Sequence, residues 1–294
     1  MDAFEYTANP TKVVFGSGAL AKLPAILASL QLSRPLLLST PQQIDQAEQV
    51  RTLLGGAVAG LFSEATMHTP VDVTERAVAF AQSSGADSLV SLGGGSTIGL
   101  GKAISVRTGL HNIAIPTTYA GSEVTPILGE TADGLKTTRS DPAILPGTVV
   151  YDVDLTMTLP AGLSATSGVN AIAHAVEALY AQNANPIIAM FAQEGLCHAI
   201  GGSFNLPHAE THTIVLPHAL AYNAPAIPVA MAKLAEALPG SEGDAVRGLN
   251  TLLDKLQVKR GLRDLGMKEE DIDKAADIAV SKPYWNPRPV ERMP

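Results

Sequence analysis

In the first half of the chain, short apolar runs alternate with amphipathic stretches. Runs of four to eight apolar residues bounded by polar or glycine positions are typical of buried strands, and apolar positions three and four apart are typical of helices. The strand runs lie at residues 12–16, 35–40, 59–64, 88–95 and 111–118, and the helical patterns lie at residues 18–30, 44–55 and 73–85. This alternation predicts a mostly parallel sheet covered on both faces, in a doubly wound, Rossmann-like α/β domain.

The pattern changes near Leu159, where the strand signals end. Apolar positions at helical spacing predict helices at residues 162–182, 186–202 and 229–238. We therefore predict two domains: an α/β domain at residues 1–158 and an all-α domain at residues 159–294.

Composition narrows the class of function. The net charge of −8 and the pI near 5.3 argue against a duplex nucleic-acid surface, and favour chemistry on a small molecule. The single cysteine, Cys197, excludes an internal disulfide and is expected to be a packing residue in a reducing compartment. The first residues lack a signal-peptide pattern, and apolar runs are too short for a membrane span. We expect a cytoplasmic protein without membrane or nucleic-acid partners.

A glycine-rich stretch, SLGGGSTIGLGKA at residues 91–103, joins a predicted strand to a predicted helix. It differs from the dinucleotide-binding pattern, which needs glycine where Ile98 stands, and from the P-loop, which needs glycine where Ser96 stands. Its backbone amides and the helix N-terminus would still face the carboxyl edge of the sheet, where phosphates bind. Two interpretations stay open: a pyrophosphate loop, or a tight turn that needs glycine for steric reasons alone.

Hydroxyl side chains follow the next predicted strand, which Pro116 ends. Thr117, Thr118, Ser122 and Thr125 can bond a phosphate, an amide or a ribose at the same edge of the sheet. Two polar loops at adjacent strand ends favour a bound cofactor. Lys102, on the helix after the glycine loop, is expected to point to solvent.

Four segments in this order, GGGSTIGLGKAI, IPTTYAGSEVTP, ETADGLKTT and VVYDVDLTMTLP, resemble the iron-containing alcohol dehydrogenase family. The resemblance implies a nicotinamide cofactor, NADH or NADPH, along the glycine loop. At the end of the second strand, where many relatives that select NAD carry an acidic residue, this chain has Thr40, which leaves the choice of cofactor open. Besides Thr40, the resemblance implies cofactor contacts at Gly93, Gly94, Gly95, Ser96, Thr97, Thr117, Thr118, Ser122, Thr125 and Lys136.

The helical half supplies polar residues at helical spacing. Asn170 and His174 are four apart and share a helix face, and the later histidines are His198, His208, His212 and His218. In metal-dependent relatives an aspartate and the histidine four residues later bind a metal with two further histidines. Asn170 replaces that aspartate by a neutral amide, which weakens affinity for a divalent ion. The resemblance therefore implies that a metal is not required. His212 and His218 have a core interpretation as well as a functional one.

A second departure lies farther along. Glu194 stands where relatives have the third ligand histidine. By resemblance, a helical segment between Gly195 and Leu196 is absent, as is a final helix beyond Pro294. Either the protein is truly shorter, or the segment belongs to it and the numbering closes over the gap. The second explanation is favoured, because a deletion would remove part of the core.

Asn170 and the surrounding segments resemble most the branch of this family that reduces the conjugated double bond of maleylacetate to 3-oxoadipate in bacterial breakdown of aromatic compounds. That branch implies a homodimer and a dianionic substrate, for which Lys136 and Arg139 are candidate positive groups. His174, His198 and His208 are predicted to donate to the developing enolate oxygen, and Asn170 to orient the carbonyl. Two alternatives stay open: a metal-dependent alcohol or polyol dehydrogenase, and a shortened, inactive cofactor-binding protein.

Overall fold

The computed structural model describes residues 9–178, 180, 208–281 and 286–290. The chain divides into two compact units that meet in sequence at Pro160 and Ala161. The boundary predicted from the hydrophobic pattern lies slightly earlier, after residue 158. Each unit has a core of its own.

The first unit is built on one sheet of six parallel strands. They are β1 (Lys12–Gly16), β2 (Pro35–Leu38), β3 (Gly60–Phe62), β4 (Ser88–Gly93), β5 (His111–Pro116) and β8 (Thr148–Asp152). Their order in the sheet is β1-β8-β5-β4-β2-β3, and every pairing is parallel. The five strands predicted from sequence are confirmed; the first has the predicted bounds and the other four are shorter than predicted.

Helices cover both faces of this sheet, so the predicted doubly wound architecture is confirmed. The helices of the unit are α1 (Leu23–Ser29), α2 (Ile44–Leu53), α3 (Val71–Ser83) and α4 (Gly95–Thr108). Leu37 and Val90 pack with α1 and α2 on one face, whereas their neighbours Leu36 and Leu89 pack with α3 and α4 on the other. Successive residues point to opposite faces of a strand, and both faces are buried, so these strands are continuous apolar runs.

The chain adds strands toward one edge of the sheet after β2 and toward the opposite edge after β4. These two strands are parallel, hydrogen-bonded neighbours. The helix after β2 packs on one face and the helix after β4 on the other. The two connections therefore separate above the carboxyl ends of β2 and β4. In open parallel sheets this crevice is where ligands bind.

A two-stranded hairpin interrupts the alternation of strands and helices. β6 (Ile127–Ala132) and β7 (Leu135–Ser140) pair antiparallel and form a separate sheet. The turn between them is Asp133-Gly134, with φ of 50° and 73°. Two successive positive φ angles are the requirement of a type I′ hairpin turn. This hairpin is not among the elements predicted from the sequence, although an Asp-Gly pair between alternating residues is a strong local signal for one.

The second unit is helical in its described part. Its helices are α5 (Ala161–Ala178), α6 (His208–Asn223), α7 (Pro228–Ala237), α8 (Ala245–Lys255) and α9 (Ile272–Ser281). The first four of these share one apolar core, centred on Val169, Leu220, Leu234 and Leu249. The helices predicted near 162–182 and 229–238 are confirmed, and the one predicted at 186–202 lies outside the described residues. Among the described helices, none has the length and apolar character needed to cross a membrane.

Candidate functional site

The loop between β4 and α4 brings backbone amides to the carboxyl edge of the sheet. β4 ends at Gly93 and α4 begins at Gly95, with Gly94 as its N-cap. Gly93 has φ of 153°, and a Cβ on Gly94 would lie 2.9 Å from Thr118 Cγ2. Both positions therefore require glycine. The N-terminus of this 14-residue helix presents N–H groups and the positive end of the helix dipole, which suits an anion such as pyrophosphate.

The residues predicted to contact a cofactor are buried to different extents around this loop. Gly95 is exposed and Ser96 is half-buried, so both can meet a ligand. Thr97 is fully buried beneath the loop, where its side chain packs under Gly93. Thr117 and Thr118 follow β5 directly beside Gly93 and Gly94.

Gln43 connects the ends of two strands across the crevice. Its Oε1 accepts a hydrogen bond from Thr40 Oγ1 at 3.3 Å, after β2, and its Nε2 donates to Thr117 Oγ1 at 3.0 Å, after β5. A Cβ on Gly93 would lie only 2.8 Å from Gln43 Oε1, so the amide lies directly over the end of β4. Gln43 is not among the site residues predicted from the sequence, because a glutamine at the start of a helix belongs to no recognised motif. The structure places it beside the predicted residues Thr40 and Thr117.

Lys102 is fully buried, which corrects the expectation that it points to solvent. Its Nζ donates to Ser122 Oγ and Thr125 Oγ1, both at 3.1 Å, and to Ile127 O at 2.9 Å. It also donates to the carbonyl oxygen of Ser122. The sequence contains a signal for this burial. The stretch around Lys102 is apolar or glycine on every face of α4, and a helix without a polar face is a buried one.

Glu123, in the loop after β5, is also buried, with 3 % of its surface exposed. The hydroxyl of Tyr151, on β8, donates to Glu123 Oε1 at 2.8 Å. Burial raises the pKa of the Glu123 carboxyl, although the Lys102 ammonium and the hydrogen bond from Tyr151 act in the opposite direction. Burial and the neighbouring carboxylate raise the pKa of Tyr151. Neither residue was singled out from the sequence.

The hairpin carries the two cations considered for ribose and substrate. Lys136 lies on β7 and crosses Gly129, where an added Cβ would be 2.9 Å from Lys136 Cε. Glu130 on β6 forms an ion pair with Arg107, whose NH2 lies 2.8 Å from Oε1, and has Arg139 NH2 at 3.7 Å from Oε2. Part of the charge of Arg139 is therefore balanced within the hairpin.

In the helical unit, α5 and α6 pack through polar side chains. Asn170 on α5 and His212 on α6 are each 2 % exposed. The imidazole rings of His174 and His212 have centroids 5.6 Å apart and are tilted by 50°. The described part of the chain offers no hydrogen bond to the buried Oδ1 of Asn170. An amide oxygen buried without a donor is costly, and is a common sign of a ligand position.

Several predicted residues lie outside what the structure describes. Glu194, Cys197 and His198 fall in the undescribed stretch, as does the junction between Gly195 and Leu196. His208 begins α6, but its side chain is not among those described. His218 is exposed on α6, so its core interpretation is wrong.

The family resemblance implies a metal centre in metal-dependent relatives, and the described residues show which of its ligands this chain keeps. They contain no group of three or more His, Cys, Asp or Glu side chains that could hold a metal ion. At the predicted position, the described donors are the Asn170 amide and the His174 and His212 imidazoles, without a carboxylate. Asn170 supplies a neutral amide oxygen where metal-dependent relatives have a carboxylate, which weakens the affinity of the described donors for a divalent cation.

Comparison with known proteins agrees with this architecture. Residues 10–153 match the model of the iron-containing alcohol dehydrogenase family, and residues 194–293 match the model of the C-terminal domain of that family. The chain belongs to the iron-containing alcohol dehydrogenase family.

Individual relatives refine the comparison. A maleylacetate reductase from Rhizobium sp. (strain MTP-10005) is 46 % identical over 337 residues, which cover 99 % of this chain and 95 % of the relative. One from Burkholderia cepacia is 44 % identical with the same coverage. The crystal structure of maleylacetate reductase from Agrobacterium tumefaciens superposes with a TM-score of 0.90 at 44 % identity, covering 99 % of this chain and 95 % of that one.

The alignment with the Rhizobium relative is longer than this chain, which has 294 residues. It therefore includes positions at which the relative has residues and this chain has none. The location of the missing segment after Gly195 stays a prediction.

Proposed function

We propose that this protein reduces the conjugated C=C bond of maleylacetate to give 3-oxoadipate, with NADH or NADPH as the reductant. The observation that carries the proposal is the identity of 44–46 % to maleylacetate reductases over 99 % of the chain. The buried amide of Asn170 supports it further. It stands where metal-dependent relatives have a carboxylate ligand, and the proposed reaction uses hydrogen-bond donors in place of the metal. The proposal includes a homodimer, as the family resemblance implies, and a cytoplasmic location, as the single cysteine favours.

The α/β unit fits a nicotinamide dinucleotide. Gly93, Gly94, Gly95 and Ser96 would hold the pyrophosphate at the N-terminus of α4. The hydroxyls of Thr117, Thr118, Ser122 and Thr125 would serve the phosphates and the nicotinamide, and Lys136 and Thr40 the ribose. When bound, the reduced nicotinamide supplies the hydride.

The chemistry assigns distinct tasks to the side chains of the helical unit. Hydride addition at the carbon β to the ketone moves the π electrons onto the carbonyl oxygen, which becomes an enolate. One or more of His174, His198 and His208 donates a hydrogen bond to that oxygen, and Asn170 orients the same carbonyl. A histidine or a water molecule then protonates the α carbon, which completes the saturated product.

The test uses the purified full chain, with its mass first compared with 30.5 kDa. Oxidation of NADH and of NADPH is followed with maleylacetate, with and without a chelator. We expect turnover that resists the chelator. Turnover lost on chelation and restored by a divalent metal would support the metal-dependent alcohol dehydrogenase instead. NADH binding without turnover, at a mass of 30.5 kDa, would support the shortened inactive protein.

A matched pair of variants tests the role of the imidazoles. His174→Ala should lower kcat with maleylacetate by about 100-fold or more, since a positioned proton donor contributes 10²- to 10⁴-fold. His218→Ala is the control, because His218 is an exposed histidine on α6. Its kcat should stay within about twofold of the parent protein, as surface substitutions usually do little. Full activity in His174→Ala would contradict a role for His174 and leave His198 and His208 as the donors to be tested by the same substitution.

A further inference from the structure

The buried ammonium of Lys102 is bonded to oxygens of a single loop. All of its hydrogen bonds given above go to residues 122–127, which follow β5. A buried charge is tolerated only where hydrogen bonds replace its hydration. The hydrogen bonds of Lys102 therefore restrain both its own side chain and the loop at residues 122–127.

The direction of each hydrogen bond follows from the chemistry of an ammonium group. It carries three protons and no lone pair, so it can only donate. The four oxygens around it share these three protons, and neither hydroxyl that it contacts, that of Ser122 or that of Thr125, can donate to it. Each hydroxyl then has its own proton to give to something else.

The hydroxyls of Thr125 and Ser122 differ in the hydrogen bonds that they donate. Thr125 donates to the carbonyl oxygen of Ser122 at 3.1 Å, within the loop. Ser122 is only half-buried, and its hydroxyl donates to no acceptor in the described part of the chain. Its proton is thus available to a ligand at the carboxyl edge of the sheet, beside Thr117 and Thr118.

A second hydrogen bond restrains the loop from the side of the sheet. Glu123, next to Ser122, is buried and accepts the hydroxyl of Tyr151 from β8 at 2.8 Å. The loop is thereby tied to α4 through Lys102 and to the sheet through Tyr151. Two ties on adjacent residues fix the orientation of the Ser122 backbone as well as its hydroxyl.

We propose that Lys102 is a positioning residue for the cofactor, which acts from beneath the loop by turning the Ser122 hydroxyl outward as a donor to an oxygen of the nicotinamide dinucleotide. This inference rests on the proposed function, because NADH or NADPH is taken as the ligand. Lys102 itself touches no ligand in this arrangement. Its effect passes through Ser122.

The test compares Lys102→Met, Ser122→Ala and the double variant in the full chain. The dissociation constant of NADH is measured by the fluorescence of the nicotinamide in the absence of maleylacetate, together with the melting temperature. We expect each single variant to weaken NADH binding by about three- to tenfold, the range for one hydrogen bond. The double variant should bind NADH no more weakly than Lys102→Met, because both changes remove the same donor.

Arg107→Met is the matched control. It removes a cation from the same helix, but Arg107 pairs with Glu130 on the hairpin. Its NADH affinity should stay within about twofold of the parent protein, while its melting temperature falls modestly. With maleylacetate as substrate, the KM for NADH should rise in Lys102→Met and Ser122→Ala with a smaller change in kcat.

Three results would overturn the inference. They are unchanged NADH affinity in a folded Lys102→Met protein, unchanged affinity in Ser122→Ala, and additive losses in the double variant. Should Lys102→Met fail to fold, Ser122→Ala on the half-buried loop still decides the matter. NADH binding is measured without substrate, so failure of turnover with maleylacetate would refute the proposed function and leave this test intact.

Discussion

Helix α4 rests so closely on the sheet that one methyl group at Gly101 should displace it. A Cβ at Gly101 would overlap Ser91 Oγ on β4 and lie 2.9 Å from Asn112 Nδ2 on β5. Ser91 and Asn112 are both buried, and Ser91 Oγ donates to Asn112 Oδ1 at 2.8 Å. Gly101→Ala therefore forces either the helix or this buried pair to move.

The magnitude of the loss follows from two terms. Overpacking of a well-packed core costs about 1–3 kcal/mol. Breaking the Ser91–Asn112 hydrogen bond adds about 1 kcal/mol. We expect Gly101→Ala to lower the free energy of unfolding by about 2–4 kcal/mol, and the melting temperature of a unit of this size by about 5–15 °C. Because α4 also carries the glycine loop at its N-terminus, NADH affinity should fall as well.

Thermal and urea unfolding followed by circular dichroism measure this effect. Ser91→Ala alone loses the buried hydrogen bond, but in combination with Gly101→Ala it removes the atom that is overlapped. The double variant should therefore be more stable than the sum of the single losses predicts, by about 1 kcal/mol or more. Strictly additive losses, or a Gly101→Ala protein as stable as its parent, would refute the steric reasoning.

Gly109→Ala gives the matched control on the same helix. Gly109 has φ of 73° at the C-cap, and an added Cβ there would meet nothing within 4 Å. Its loss should come from the left-handed backbone alone, at about 1–2 kcal/mol. Ser91→Ala should not relieve it.

Two further predictions concern charge. Burial raises the pKa of Glu123 above its usual 4.5, so the folded state keeps this proton to a higher pH than the unfolded state. The free energy of unfolding therefore falls as the pH rises from the unfolded pKa toward the folded one, by at most about 1.4 kcal/mol per pH unit. Glu123→Gln should thus gain stability over the parent protein from pH 4 to pH 7 in urea unfolding, and a gain independent of pH would contradict this account. Thr40→Asp should raise the KM for NADPH by about tenfold or more relative to NADH, since a carboxylate repels a 2′-phosphate; equal KM changes for both cofactors would place the adenosine ribose elsewhere.

The α/β unit was predictable because its hydrophobic pattern is local. Runs such as Pro35–Leu38 and Ser88–Gly93 are mostly apolar, as is typical of strands buried on both faces. The glycine loop was predictable for the same reason, since Gly93 and Gly94 are forced by close contacts at a strand end. The hairpin was missed because its outer strand, Leu135–Ser140, is mostly exposed and polar, which leaves only the Asp-Gly turn as a signal.

The site was less predictable where it depends on contacts between distant residues. Lys102 was misassigned because a lysine is charged by default, and its oxygen partners lie 20 to 25 residues away in the chain. Gln43 is separated from Thr117 by 74 residues, so nothing in its local sequence indicates the contact. The pairing of His174 with His212 likewise requires two helices to pack together. Helical spacing could place Asn170 and His174 on one face, but not a second helix against them.

With the cofactor contacts proposed above for Thr40 and Thr117, the amide of Gln43 would link the choice between NADH and NADPH to nicotinamide binding. Thr40 can donate a hydroxyl proton to Gln43 Oε1, whereas an aspartate at that position can only accept. A carboxylate there would draw the Nε2 group toward itself and turn Oε1 toward Thr117, whose hydroxyl would then have to donate inward. A change made to select between two cofactors at the adenosine end would thus remove a donor at the other end. Position 43 is therefore the place to look for a compensating substitution whenever position 40 is altered.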